Sequence, residues 1–189
     1  MIRIGILGNI GSGKSYVAKN FGYPVFNADY EVTKLYKTDK KIFKKLKKKL
    51  PKYICSFPIN KNEITKAILS NKVNLQKIIS IVHLEIRKIL KLFLKKNRNK
   101  KIIILDIPLL LENKINNKND ILVFVDSKKI EIEKRLKKRL NYNRKLINKF
   151  KKIQFSSSYK KKKSNFIIKN NFKKKSLNKS IKKILNEIL

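Results

Sequence analysis

One octapeptide near the amino end constrains this chain more than any other stretch: Gly8-Asn9-Ile10-Gly11-Ser12-Gly13-Lys14-Ser15. It fits G-x-x-x-x-G-K-[ST], a loop that wraps a polyphosphate when it joins a strand to a helix. That context is present. Ile2-Arg3-Ile4-Gly5-Ile6-Leu7 is short, β-branched and mostly apolar, as a buried parallel strand should be. Tyr16-Val17-Ala18-Lys19-Asn20-Phe21 can open a helix. Glycine lets the backbone curl tightly and brings successive N–H groups against an anion. The helix that follows turns the positive end of its dipole toward the same charge. Lys14 can reach the outer phosphates, and the Ser15 hydroxyl can hold Mg²⁺. The chain has only 5 glycines, all within its first 22 residues, which is what a dedicated loop would demand.

The length of 189 residues allows one sizeable core and a small lid or insertion. At 42% hydrophobic residues the chain is globular rather than disordered. Cys55 is the single cysteine, which excludes an internal disulfide framework and suits a reducing compartment. The chain enters a strand at once, so no signal peptide is expected before the fold. No apolar run approaches the ~18 residues of a membrane helix. The expectation is a cytoplasmic protein that does not engage a membrane.

The net charge is +38, from 50 Lys+Arg against 12 Asp+Glu. Such an excess can serve nucleic-acid binding. Here it is lysine far more than arginine, spread along the chain, without interleaved aromatic platforms. A compositional bias explains that pattern better, and no specific nucleic-acid partner is expected. In either case the positive field would speed encounter with anionic substrates.

A second apolar stretch, residues 23–28, reads as a strand ending at Asp29. Ligands of open α/β sheets bind outside the carboxyl ends of strands. Asp29 there could accept a proton, bind Mg²⁺ or cap the next helix. Residues 31–97 read as helical. Val32, Leu35 and Tyr36 give one apolar face, and Ile42, Phe43, Leu46 and Leu50 another. Leu75, Ile78, Ile79, Val82, Ile86, Ile89, Leu90 and Phe93 give a long stripe of helical period. His83 and Arg87 lie one turn apart beside it and could face one site, although a single histidine is as well explained structurally. The block is long for a crossover and could hold a second substrate.

Residues 101–107 form the clearest central strand, ending in Asp106-Ile107-Pro108-Leu109-Leu110-Leu111-Glu112. An apolar strand closing on aspartate resembles a Walker B element, which orients Mg²⁺. Residues 121–126 are a fourth strand and 165–168 a fifth. Between them, 131–163 is dominated by Lys and Arg and contains Arg135, Arg139 and Arg144. It reads either as a basic lid that closes over a nucleotide or as a solvated amphipathic helix. Leu177, Ile181, Ile184, Leu185 and Ile188 mark a last helix that covers the core.

Taken together, the loop, Val25-Phe26-Asn27-Ala28-Asp29, His83, Asp106-Ile107-Pro108-Leu109-Leu110-Leu111-Glu112-Asn113 and Gln154 resemble the dephospho-CoA kinases over residues 4–171. The resemblance implies an α/β fold: a P-loop kinase core with a five-stranded parallel sheet, a helical substrate-binding insertion and a helical lid. The core would comprise 1–30, 100–130 and 164–189, the CoA-side domain 31–99 and the lid 131–163. It implies phosphorylation of the ribose 3′-hydroxyl of dephospho-CoA by ATP with Mg²⁺, in a monomer or small homo-oligomer. Asp29 matches the base, and Lys14 and Arg139 complete the catalytic set. Gly8, Gly11, Ser12, Gly13, Lys14, Ser15, Tyr16, Arg144 and Asn170 would contact ATP. Asp29, His83, Arg87, Pro108 and Leu109 would contact dephospho-CoA, and Ser15 and Asp106 would serve the metal. The chain departs from the family pattern at Asn9, Tyr16, Asn27, Leu84, Asn165 and Lys169, and keeps Lys14, Ser15, Asp29 and Arg139. Two rivals remain on the residues alone: another small-molecule kinase of the same fold, and a nucleic-acid-binding ATPase.

Overall fold

The computed structural model describes residues 1–140 and 142–189. The described chain forms two compact units, one made of Met1–Asn27 with Asn97–Leu189, the other of Ala28–Lys96.

The first unit is built on a five-stranded sheet in which every pair is parallel. Its strands are β1 (Ile2–Gly8), β2 (Val25–Asn27), β3 (Ile102–Asp106), β4 (Ile121–Asp126) and β5 (Phe166–Lys169), in the order β2-β3-β1-β4-β5. β1 sits at the centre, Ile4 facing Ile104 on one side and Ile121 on the other. Period-2 alternation sends Ile4, Ile6, Ile102, Ile104, Val123 and Val125 to one face of the sheet. There they pack with Val17, Ala18 and Phe21 around helix α1 (Lys14–Asn20) and with Leu177, Ile181 and Ile184 of the terminal helix. The opposite face is closed too: Leu7, Leu105 and Phe124 are buried. A parallel sheet covered on both faces explains why its strands read as continuous apolar runs.

The second unit holds α2 (Ala28–Thr38), α3 (Lys40–Lys49), α4 (Lys61–Ser70) and α5 (Lys72–Lys96). The stripe on α5 buries Leu75, Ile78, Val82, Ile86 and Leu90. Against it lie the buried Leu35, Ile42, Leu46, Ile64 and Ile68 of the other three helices. Caps set the boundaries. The Asp39 carboxylate accepts from the N–H groups of Lys41 and Ile42, and Asn60 caps α4 in the same manner.

Back in the first unit, α6 (Lys129–Lys137), α7 (Arg144–Lys152) and α8 (Ser157–Lys162) lie between β4 and β5, and α9 (Lys174–Ile188) ends the chain. Two expectations are adjusted. The second strand is shorter than its apolar run: it stops at Asn27 and α2 starts at Ala28, so Asp29 lies in the first turn of a helix. A carboxylate there suits the positive end of the helix dipole, and Glu31 shares the turn. The fifth strand runs Phe166–Lys169, one residue later than read. Asn165 closes its start instead, with its N–H on Leu122 O and its Oδ1 accepting from Leu122 N, each at 2.8 Å. No helix among the described residues is long and apolar enough to cross a membrane.

Candidate active site

β1 ends at Gly8, and the loop to α1 turns on Gly11 (φ 87°) and Gly13 (φ 90°), in the left-handed region that glycine enters without strain. Space demands glycine as well. A Cβ on Gly13 would stand 2.6 Å from Asn170 Nδ2, and one on Gly11 would stand 2.9 Å from Leu136 Cγ of α6. The loop is thus pressed between α6 and the stretch after β5. Ser12 N–H donates to Asn9 O at 3.1 Å, which closes the turn.

Lys14 opens α1, and its ammonium runs back along the loop to donate to Gly8 O (3.1 Å) and Asn9 O (2.8 Å). A cation is thereby held along a turn rich in backbone amides, as an outer phosphate requires. Ser15 and Tyr16 follow in the first turn of α1, both exposed. Several side chains brace the loop from behind. Ser127 Oγ and Asn170 Nδ2 both donate to Ser12 O at 2.9 Å, and Ser157 Oγ donates to Asn9 Oδ1 at 3.0 Å. Asn170 is 5% exposed, and its Oδ1 accepts from Phe172 N–H at 2.9 Å. Asn170 therefore shapes the loop through its amide Nδ2, while its carbonyl oxygen holds the turn at Phe172.

At the end of β3, Asp106 is 3% exposed and pairs in register with Asn27 at the end of β2. Asn27 Nδ2 donates to Asp106 Oδ2 at 2.6 Å, which orients the carboxylate. Asn27 departs from the pattern of the kinases that the chain resembles, and it supplies a donor that an ionised aspartate could not. A hydroxyl and a carboxylate are hard oxygen donors, so Ser15 and Asp106 suit Mg²⁺, which typically takes one or two protein ligands and completes its shell with water and phosphate. Pro108 and Leu109 follow Asp106 in a turn that Asn113 N–H closes onto Leu109 O at 3.0 Å.

Arg139 and Arg144 are exposed, the first just past α6 and the second opening α7. Arg135 lies over the Phe172 ring, 4.1 Å from its centroid, and so joins α6 to the stretch after β5. In the helical unit, Asp29 is exposed in the first turn of α2. His83 is half-buried on α5, and burial together with the positive charge of Arg87 holds its pKa below the ordinary 6.5. The imidazole is therefore neutral at physiological pH and able to donate and accept one hydrogen bond each.

Sequence reasoning missed Ser127, Ser157 and a buried ion pair between Lys160 and Glu112, 3.1 Å apart. Serine beside a basic run carries no signal of its own, and a lysine among so many gives no sign of which one is buried. Asn170 was reached through resemblance, and no spacing rule would have found it.

Comparison with known proteins gives this geometry a lineage. The sequence model of the family described as dephospho-CoA kinase matches residues 2–176. The dephospho-CoA kinase of Wolbachia pipientis wMel is 33% identical over 98% of this chain and 97% of its own length. That of Fusobacterium nucleatum is 30% identical over 98% and 97%. Among solved structures, TT1252 from Thermus thermophilus superposes with a TM-score of 0.77 at 25% identity, covering 100% of this chain and 98% of that one. A shikimate kinase from Bacteroides thetaiotaomicron shares the fold at a TM-score of 0.53 and 12% identity, covering 99% and 98%. A match that runs through the phosphate loop, the Asp106 strand end and the stretch after β5 places this chain in the dephospho-CoA kinase family.

Proposed function

We propose that the protein transfers the γ-phosphoryl group of ATP to the ribose 3′-hydroxyl of dephospho-CoA, which yields coenzyme A and ADP. The observation that carries this reading is the family match over residues 2–176, laid on a phosphate loop whose lysine already lines the turn.

Phosphoryl transfer asks a protein chiefly to position groups and to neutralise charge. Gly8 and the amides from Gly11 to Tyr16 would cradle the phosphates, and Lys14 would exchange its carbonyl contacts for the β- and γ-oxygens. Mg²⁺ would rest on Ser15, with Asp106 behind it through water. The metal, when bound, supplies Lewis-acid neutralisation of the developing charge. Asp29 would accept the proton of the 3′-hydroxyl as that oxygen attacks, a role typically worth ~10²–10⁴-fold. Its place in a helix first turn, solvent-facing, suits a base that must meet an incoming hydroxyl. Arg139, on a segment that would close as a lid, would stabilise the transferring phosphoryl group, Arg144 on the same segment would contact ATP, and closure would exclude competing water. His83, Arg87, Pro108 and Leu109 would contact the CoA side. The neutral imidazole favours hydrogen bonding there over charge pairing.

The test is direct. Incubated with ATP, Mg²⁺ and dephospho-CoA, the protein is expected to give a product heavier by one phosphoryl group, with the mass of coenzyme A. Shikimate and deoxynucleosides serve as alternative acceptors. Turnover of one of these with none of dephospho-CoA would overturn the assignment.

A further inference from the structure

Between Leu136 and Lys160 no described residue is buried. Arg139 and Arg144 lie in that interval, and α7, in its middle, buries nothing. Among the described residues the segment that carries both arginines has fully buried side chains only at its ends, of opposite chemistry, with Gln154 Nε2 adding a longer bond to Pro108 O at 3.5 Å. At the amino end Leu136, 3% exposed, packs where Gly11 leaves no room for a side chain. At the carboxyl end stands Lys160, 1% exposed and the only buried lysine among the described residues.

Lys160 Nζ lies 3.1 Å from Glu112 Oε1, with the two side chains 2% and 8% exposed. The same oxygen accepts from Phe155 N–H at 2.8 Å. Glu112 belongs to the turn after β3 that also holds Pro108 and Leu109. Lys160 is on α8, whose Ser157 bonds Asn9 of the phosphate loop and whose Lys161 pairs with Asp126 at the end of β4, 2.8 Å away. One short helix therefore touches the phosphate loop, the turn after β3 and the end of β4.

A buried ammonium tolerates only a position where its partner meets it. Apolar contact is non-directional and allows a helix to slide. We propose that the Glu112–Lys160 ion pair is the positioning anchor of the arginine-bearing segment, setting where Arg139 meets the transferring phosphoryl group. This rests on the functional reading above. Both side chains are buried, so their effect on turnover would pass through Arg139. Binding of ATP depends mainly on the loop, so loss of the anchor falls on turnover. Misplacing a group by about 1 Å can lower a rate by ~100-fold.

The experiment compares wild-type protein with the double variant E112Q/K160M. Glutamine keeps the acceptor for Phe155 N–H, and removal of both charges leaves none buried and unpaired. The expected result is a thermal midpoint close to wild type, KM for ATP and for dephospho-CoA within about twofold, and kcat lowered by ~10- to 100-fold. Adding R139A separates positioning from bulk packing. In wild type R139A is expected to be severe, and in the double variant it is expected to add little further loss, because its arginine is already misplaced. Wild-type kcat in the double variant, or full additivity with R139A, would overturn the proposal. If the double variant does not fold, E112D, which keeps the charge and shortens its reach, takes its place with the same readouts. Failure of wild-type protein to make coenzyme A would refute the functional reading instead, which keeps the two failures apart.

Discussion

At the scale of single residues, Asp29 and His83 make separable predictions. Asp29→Asn preserves size and suits an exposed helix first turn. Its thermal midpoint should stay near wild type while kcat falls by ~10²–10⁴-fold. An unchanged rate of coenzyme A formation would exclude Asp29 as the base. His83 is the only histidine, and its folded pKa lies below its unfolded 6.5. Between those two values the unfolded chain binds the proton more readily than the folded one. Stability linked to His83 is therefore full above the unfolded pKa and declines as pH falls through the window beneath it. Urea midpoints between about pH 5 and about pH 7.5 should show this slope, and His83→Gln should flatten it. A slope that survives the substitution would assign it to carboxylates. At this scale the motif residues were legible because chemistry dictates their spacing. Ser127 and Ser157 were not, because each matters only for the loop carbonyl or amide that the fold brings to it.

At the scale of elements, the parallel sheet was legible because both of its faces are covered and its strands had to be apolar throughout. The length of β2 was not. Ala28 extends the apolar run up to Asp29 and reads equally as strand end or helix start, and pairing with β3 stops at Asn27 opposite Asp106. The three helices between β4 and β5 blurred into one basic run, since their boundaries rest on the caps Asn143 and Ser156, two polar residues in a polar stretch. β1 carries a sharper constraint than its hydrophobicity suggests. A Cβ on Gly5 would lie 2.6 Å from Leu110 Cδ2 and 2.9 Å from Leu122 Cδ2. Both are ends of flexible side chains, so Gly5→Val should fold with its neighbours displaced. Overpacking of this kind costs about 1–3 kcal/mol, read as a lower urea midpoint at unchanged m-value. A midpoint at or above wild type would mean that the face bearing Leu110 and Leu122 is looser than these distances imply.

At the scale of the whole molecule the dominant quantity is charge. A net +38 on 189 residues means that most cationic groups have no anion to meet. The exposed pairs Lys88–Glu85, Lys134–Glu131 and Lys183–Glu187 contribute about 0–1 kcal/mol each and are screened by salt. Buried Lys160–Glu112 and the shielded Arg3–Asp120 pair are screened much less. Added salt thus removes little attraction and much repulsion. The thermal midpoint should rise as ionic strength goes from about 20 mM to about 200 mM, over which the Debye length falls below ~10 Å. The same screening should act oppositely on function. ATP and dephospho-CoA are anions drawn in by the positive field, so kcat/KM should fall with salt while kcat, measured at saturation, stays nearly level. Both trends come from one charge distribution, and measuring them in one buffer series ties them together. A midpoint that drops with salt would show that the few acidic residues hold the fold through surface pairing, against the arithmetic of their number.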